Sequence, residues 1–119
     1  MNQTEPKISI EYEGNVTVAI LTEEKILQEA DIQGLENSIM ALIEQVSGIN
    51  LIINFCNVKF LTSSALGLLI RVIKKMHETG GKLKLCSIDP KIFEVFTITR
   101  LDKVFEIYDS QAEAVESFE

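Results

Sequence analysis

The chain has little of what most site chemistries require. It contains one histidine and two cysteines in 119 residues. A zinc site normally gathers several His and Cys ligands at short spacings, and His77 stands far in sequence from both Cys56 and Cys86, so no metal site is expected. His77 lies near the end of a helical pattern, where a solvated residue complements the helix dipole. Both cysteines sit inside apolar runs of strand character and are expected to pack as small hydrophobes. No phosphate-cradling glycine pattern is present: Gly80-Gly81 reads as a helix stop, and Gly67 lacks the Lys-Ser/Thr of a P-loop. A serine nucleophile needs a base beside it, and His77 is more than about three helical turns beyond Ser63 and Ser64. Glu23 and Glu24 are adjacent and do not form a persuasive acid-base pair. Neither enzymatic activity nor a cofactor is therefore expected.

Positive charge is also scarce. Eleven Lys+Arg stand against 18 Asp+Glu, a net charge of -7, which opposes binding to nucleic acid or to anionic membranes because phosphate contacts need clustered cations. No apolar run approaches the ~18 residues that suggest a membrane span. The first residues, Met1-Asn2-Gln3-Thr4-Glu5-Pro6, lack the basic and apolar regions of an export signal. A cytosolic location is the expectation.

What is present suits an ordinary globular protein, with 46% hydrophobic and 24% charged residues. This length fits one domain, taken as residues 1–119 with a core over about 7–118, and should bury roughly 65% of the extended-chain surface without disulfide or metal staples.

The hydrophobic pattern alternates between periods. Ile8 to Glu13 and Val16 to Leu21 read as strands of a hairpin broken at Gly14-Asn15. Ile32, Leu35, Ile39, Leu42, Ile43 and Val46 recur at helical spacing, predicting a helix over 32–47. Leu51 to Phe55, short and almost wholly apolar, reads as a central strand covered on both faces. Leu66, Leu69, Ile70, Ile73 and Met76 predict a second helix over 64–79, closed by Gly80-Gly81. Lys82 to Ser87 and Val104 to Tyr108 read as further strands. Asp89-Pro90 looks like an N-cap with proline in the first helical position, opening a short helix through Phe96. Ser110 to Glu113 matches a capping box for a terminal helix carrying Ala114, Val115 and Phe118. Strands separated by helices imply parallel neighbours joined by crossovers. The expected class is α/β, with a mixed sheet of about five strands and about four helices.

Charge is unevenly distributed. Residues 1–50 hold nine acids against two bases (net -7), residues 51–103 nine bases against four acids (net +5), and residues 104–119 five acids and no base (net -5). Arg71, Lys74, Lys75, Lys82 and Lys84 form the candidate basic surface. Its simplest reading is a solvated face.

The segment Phe60-Leu61-Thr62-Ser63-Ser64-Ala65-Leu66-Gly67 draws attention because three hydroxyls stand where a helix begins, beside free backbone N–H groups. They can serve as helix caps. A serine there can also accept a phosphate, which adds about -1.5 to -2 charge and three acceptor oxygens.

Three blocks carry a family resemblance. Residues 51–67 resemble the apolar strand, "F-x-D-S-S/A-G-L-G" loop and following helix of the STAS domain of bacterial anti-sigma factor antagonists. Gly80 to Cys86 is similar to its "G-G-x-L-x-L" turn, and Val95 to Tyr108 supplies the third block. The blocks occur in the right order, the resemblance as a whole runs from Val16 to Phe118, and it agrees with the alternation read independently. The resemblance implies the STAS fold and a non-catalytic partner-switching function. It implies an anti-sigma factor that is also a serine protein kinase as the partner, with a serine phosphatase as a further one. The unphosphorylated antagonist binds the kinase, and phosphorylation releases it. The acceptor carried over is Ser63, with Ser64 as second choice, and the partner-binding residues are Thr62, Ser63, Ser64, Ala65, Leu66 and Arg71. Alternative readings are a STAS interaction module of a larger signalling assembly without phosphorylation, and a sensor of a small ligand such as a nucleotide or lipid.

Three positions depart from the family pattern. Thr62 replaces its usual aspartate, Ala65 its usual glycine, and Ala19-Ile20-Leu21-Thr22 its acidic "G-E/D-L/I-D" turn. Two carboxylates expected near the acceptor are thus absent from those positions. Ala65 is the milder change, since alanine is the better helix former.

Overall fold

A computed structural model describes residues 8–118. The chain opens as an antiparallel hairpin of β1 (Ile8–Glu13) and β2 (Val16–Leu21), paired from Ile8↔Leu21 to Glu13↔Val16. Gly14 turns it with φ +63°, a conformation open to glycine without the Cβ penalty. Three further strands, β4 (Asn50–Asn54), β6 (Lys82–Cys86) and β7 (Glu106–Tyr108), add in parallel to give a five-stranded sheet of order β1-β2-β4-β6-β7. The expected mixed sheet, with its single antiparallel pair at the hairpin, is therefore the observed one.

Helix α1 (Glu29–Gln45) connects β2 to β4, and α2 (Ser63–Thr79) connects β4 to β6. They pack together on one face of the sheet. Ile32, Leu35, Ile39 and Ile43 of α1, with Leu68, Leu69, Val72 and Met76 of α2, cover Leu51, Ile53, Leu83 and Leu85. The other face carries a smaller cluster of Val16, Val18, Ile52 and Cys86, covered by Ala114 of α4 (Gln111–Glu116). Central β4 is thus buried on both sides, as its apolar run requires.

Most boundaries agree with their local signals. Gly80 ends α2 at φ +78°. Asp89 caps α3 (Pro90–Ile98) by accepting from the Lys91 N–H at 2.9 Å, with Pro90 in the first position. Ser110 Oγ caps α4 by accepting from the Glu113 N–H at 3.2 Å. Helix α1 starts at Glu29 rather than Ile32: its cap position, Gln28, makes no side-chain bond, so the start carries no cap signal. Val104 does not belong to the last strand, because a 3-10 turn at Leu101–Lys103 delays β7 to Glu106.

Three features depart from expectation. First, β3 (Lys25–Ile26) and β5 (Phe60–Leu61) form a separate parallel ladder, paired Lys25↔Phe60 and Ile26↔Leu61. Second, Cys56 is exposed while Cys86 is buried; β4 ends at Asn54, so Cys56 falls in the following turn rather than in a strand. Burial pushes the Cys86 thiol up from its ordinary pKa. Third, Lys84 is not part of a basic surface. It alternates with Leu83 and Leu85, which places it on the α4 face, where it is 6% exposed. Its stem is buried, and its ammonium donates to Ser117 O at 3.0 Å and Oγ at 2.7 Å, 3.5 Å from a Glu106 carboxylate oxygen and 4.3 Å from the Phe118 ring centroid.

Candidate functional site

The three hydroxyls stand at the end of a loop whose backbone bonds are satisfied at almost every step. Beyond Asn54, the Phe55 N–H donates to Cys86 O at 3.0 Å and the Val58 N–H returns to Phe55 O at 2.9 Å. Phe55 and Val58 are both buried, which anchors this turn in the core. Asn57 Nδ2 donates to Leu21 O at 3.0 Å, fastening the turn to the end of β2. The N–H groups of Lys59 and Phe60 share Glu24 O, at 2.8 and 3.1 Å, and the Thr62 N–H donates to Ile26 O at 3.2 Å. The β3–β5 ladder thus delivers the chain to the start of α2 at a defined place. Exposed Phe60 lies beneath the Lys25 ammonium, 5.6 Å from its ring centroid.

Thr62 is the N-cap of α2, and its Oγ1 accepts from the Ala65 N–H at 3.4 Å, a long capping bond. Ser63 is the first helical residue. Both Ser63 and Ser64 are exposed, and no acidic side chain occupies the first turn of α2. Ala65 and Leu66, at 4% and 6% exposure, turn into the core instead. Helical geometry forces this, since residues following two outward positions rotate onto the apolar face that also holds Leu69 and Val72. Of the six residues assigned to partner binding, these two support the surface from below and do not form it.

Two turns along α2, Arg71 reaches α1. Its Nε and Nη2 donate to the two carboxylate oxygens of Glu36 at 2.9 and 2.8 Å. The hydrogen bond from Arg71 holds the Glu36 carboxyl below its usual pKa against partial desolvation, and the same bond raises that of Arg71. The guanidinium stays half exposed, at 53% for the side chain. It leans back along the helix over Gly67, where a Cβ would lie 3.5 Å from Nη1. The candidate surface therefore runs from Thr62 along Ser63, Ser64 and Gly67 to Arg71.

Sequence reasoning missed Asn54, Asn57 and Glu36. The two asparagines carried a usable signal, as polar residues of turn type interrupting an apolar run. Glu36 carried none, because its pairing with Arg71 depends on how two helices dock.

Chemically, this arrangement offers an accessible alcohol at a helix start. His77 lies in the last turn of the 17-residue α2, at the opposite end from Ser63. Among the described residues, no group of three or more His, Cys, Asp or Glu could hold a metal ion, and no helix is long and apolar enough to cross a membrane.

The mixed sheet, with two helices on one face and a hydroxyl-bearing loop beyond the end of its central strand, is an α/β architecture. A match to the STAS domain spans residues 9–114, and the chain belongs to that family. The "Anti-sigma F factor antagonist" of Paenibacillus polymyxa is 26% identical over 70 residues, covering 59% of this chain and 60% of that relative. The chain thus matches less than two thirds of that relative's length. The structure of an anti-sigma-factor antagonist (STAS) domain protein from Planctomyces limnophilus superposes with a TM-score of 0.84 at 26% identity, over 92% of this chain and 96% of the other. SpoIIAA, a Bacillus cell fate determinant solved in its phosphorylated form, shares the fold with a TM-score of 0.69 at 20% identity, over 94% and 99% of the two chains.

Proposed function

We propose that this protein is an anti-sigma factor antagonist that binds an anti-sigma factor with serine kinase activity and is released when Ser63 is phosphorylated. The observation that carries this reading is the exposed Ser63 at the first position of α2, set there by the Thr62 cap. A kinase can reach that hydroxyl without unfolding anything. The modification would place about -1.5 to -2 charge among the neutral side chains of Thr62, Ser63 and Ser64, at the head of a surface that ends at the Arg71–Glu36 pair. Desolvating that charge against a partner built for a neutral hydroxyl is costly, so the phosphorylated form is released. A serine phosphatase would restore the binding form. Relatives named as anti-sigma factor antagonists support the role, and a protein of the same fold occurs in a phosphorylated form.

The test is to incubate the purified chain with candidate anti-sigma kinases and ATP, then read intact mass and map the modified residue. A single phosphate on Ser63, absent from Ser63→Ala, is the expected result. Phosphate confined to Ser64 would move the acceptor by one residue. Tight binding with no phosphate transfer would assign a non-switching STAS interaction module, the reading favoured by Thr62 at the aspartate position.

A further inference from the structure

Asn54, the last residue of β4, is 5% exposed, and both ends of its amide are engaged. Its Oδ1 accepts from the Cys56 N–H at 2.8 Å, shaping the first turn of the loop that leads to Ser63. Its Nδ2 donates to Gln111 Oε1 at 2.8 Å. Gln111 is the first residue of α4, and its own Nε2 donates to Glu13 Oε2 at 2.6 Å and Glu11 Oε1 at 3.2 Å on β1. The direction of this relay is set by its ends. A backbone N–H can only donate and carboxylates can only accept, so each amide between them has one permitted orientation. The relay crosses from β1 through α4 to the acceptor loop, joining elements that are distant in sequence.

We propose that Gln111 is a positioning residue for the acceptor loop, making the turn at Cys56 depend on how α4 docks. Its bearing on phosphorylation rests on the function proposed above; the coupling itself does not. Without Gln111, the Nδ2 of Asn54 is buried with no acceptor, and the side chain must turn to find one. That motion withdraws Oδ1 from the Cys56 N–H. Helix α4 remains attached at its other end through Lys84 and Ser117, so a Gln111 variant keeps its fold.

The experiment measures amide hydrogen exchange by NMR on the full chain. In Gln111→Leu, the Cys56 amide should exchange roughly ten-fold faster, the scale expected when a buried hydrogen bond loses its support. The amide of Ile52, in the centre of β4, should not change. A second arm reverses the relay. Asn54→Asp keeps the acceptor for Cys56 but forces Gln111 to turn its NH2 toward position 54, leaving Oε1 against the carboxylates of Glu11 and Glu13. Its Tm should fall, and adding Glu13→Gln should restore most of the loss by supplying a donor. Unchanged Cys56 exchange in Gln111→Leu, or a Glu13→Gln effect that is the same with and without Asn54→Asp, would overturn the coupling. If Asn54→Asp does not fold, the Gln111→Leu exchange decides alone. With a kinase that phosphorylates Ser63 in the wild type, Gln111→Leu should be modified several-fold more slowly; an unchanged rate despite faster exchange would overturn the positioning role. If no kinase modifies the wild type, the proposed function fails, and the exchange result still decides the coupling.

Discussion

Arg71 grips both carboxylate oxygens of Glu36, at 2.8 and 2.9 Å, and in doing so ties α2, which starts at Ser63, to α1. The fork of the guanidinium matches the carboxylate, so the bond sets relative position as well as adding energy. Arg71 is nevertheless half exposed, so solvent screens the pair and its stabilisation should be about 0.5–1 kcal/mol.

The pH dependence of this pair has a definite sign. The folded pKa of Glu36 is lowered, first by the Arg71 hydrogen bond, so its stabilisation is complete above the unfolded carboxyl pKa and is lost as pH falls through the folded one. Arg71→Ala should raise the Glu36 pKa and lower stability at neutral pH. The stability difference from wild type should close in acid. An NMR titration of the Glu36 carboxyl, with urea unfolding at neutral and acid pH, checks both.

Ser63 lies at the centre of the proposed contact surface, so charge there should be decisive. Ser63→Asp should weaken kinase binding by roughly one to two orders of magnitude, since an unpaired carboxylate must be desolvated. Ser63→Ala should bind as the wild type does. Both should unfold normally, because the side chain is exposed. Calorimetric titration with the kinase, beside thermal unfolding, separates the two readouts; equal affinity would favour the non-switching module.

Thr62 caps α2 through a long bond of 3.4 Å. Thr62→Ala should therefore cost only about 0.5–1 kcal/mol, whereas Thr62→Asp keeps a cap and adds a favourable charge at the helix start. Thr62→Asp should raise the phosphorylation rate by a kinase that recognises the family's aspartate. A kinase fitted to this chain should prefer threonine. Rates for both proteins, with stability measured alongside, show whether Thr62 takes part in recognition; indifference would leave it a cap alone.

The paired glycines after α2 should respond differently to alanine. At Gly81 an added Cβ would lie 2.7 Å from Ile49 O and 2.9 Å from Met76 Cε. The backbone oxygen cannot easily retreat, because it accepts from the Lys82 N–H at 2.9 Å. Gly81→Ala should cost roughly 1–3 kcal/mol through overpacking. Gly80 has open space around it but sits at φ +78°, so Gly80→Ala should cost about 1–2 kcal/mol from backbone conformation alone. Urea unfolding orders the two, and the Gly81 variant should recover part of its loss when Met76 is shortened, which the Gly80 variant should not.

Much of this architecture was legible because its causes are local. The spacing of the apolar residues identified the hairpin, α1 and α2, and an unbroken apolar run identified β4; Asp89-Pro90 and Ser110 marked helix starts by their own capping bonds. Ser63 at a helix start was readable for the same reason. Two-residue strands are too short to show a period, so the β3–β5 ladder that fixes the loop could not be seen.

By itself, the sequence determined which segments form the five-stranded sheet and the four helices, their order, and the position of the hydroxyls at the start of α2, since these follow from side-chain spacing, capping and backbone preference over a few residues. Only the tertiary structure decided what each ambivalent residue faces. Lys84 is buried because β6 turns it toward α4, Cys56 is exposed because β4 ends two residues before it, and Arg71 meets Glu36 because two helices pack on one sheet face. Those outcomes depend on contacts between segments far apart in the chain, which local spacing does not encode.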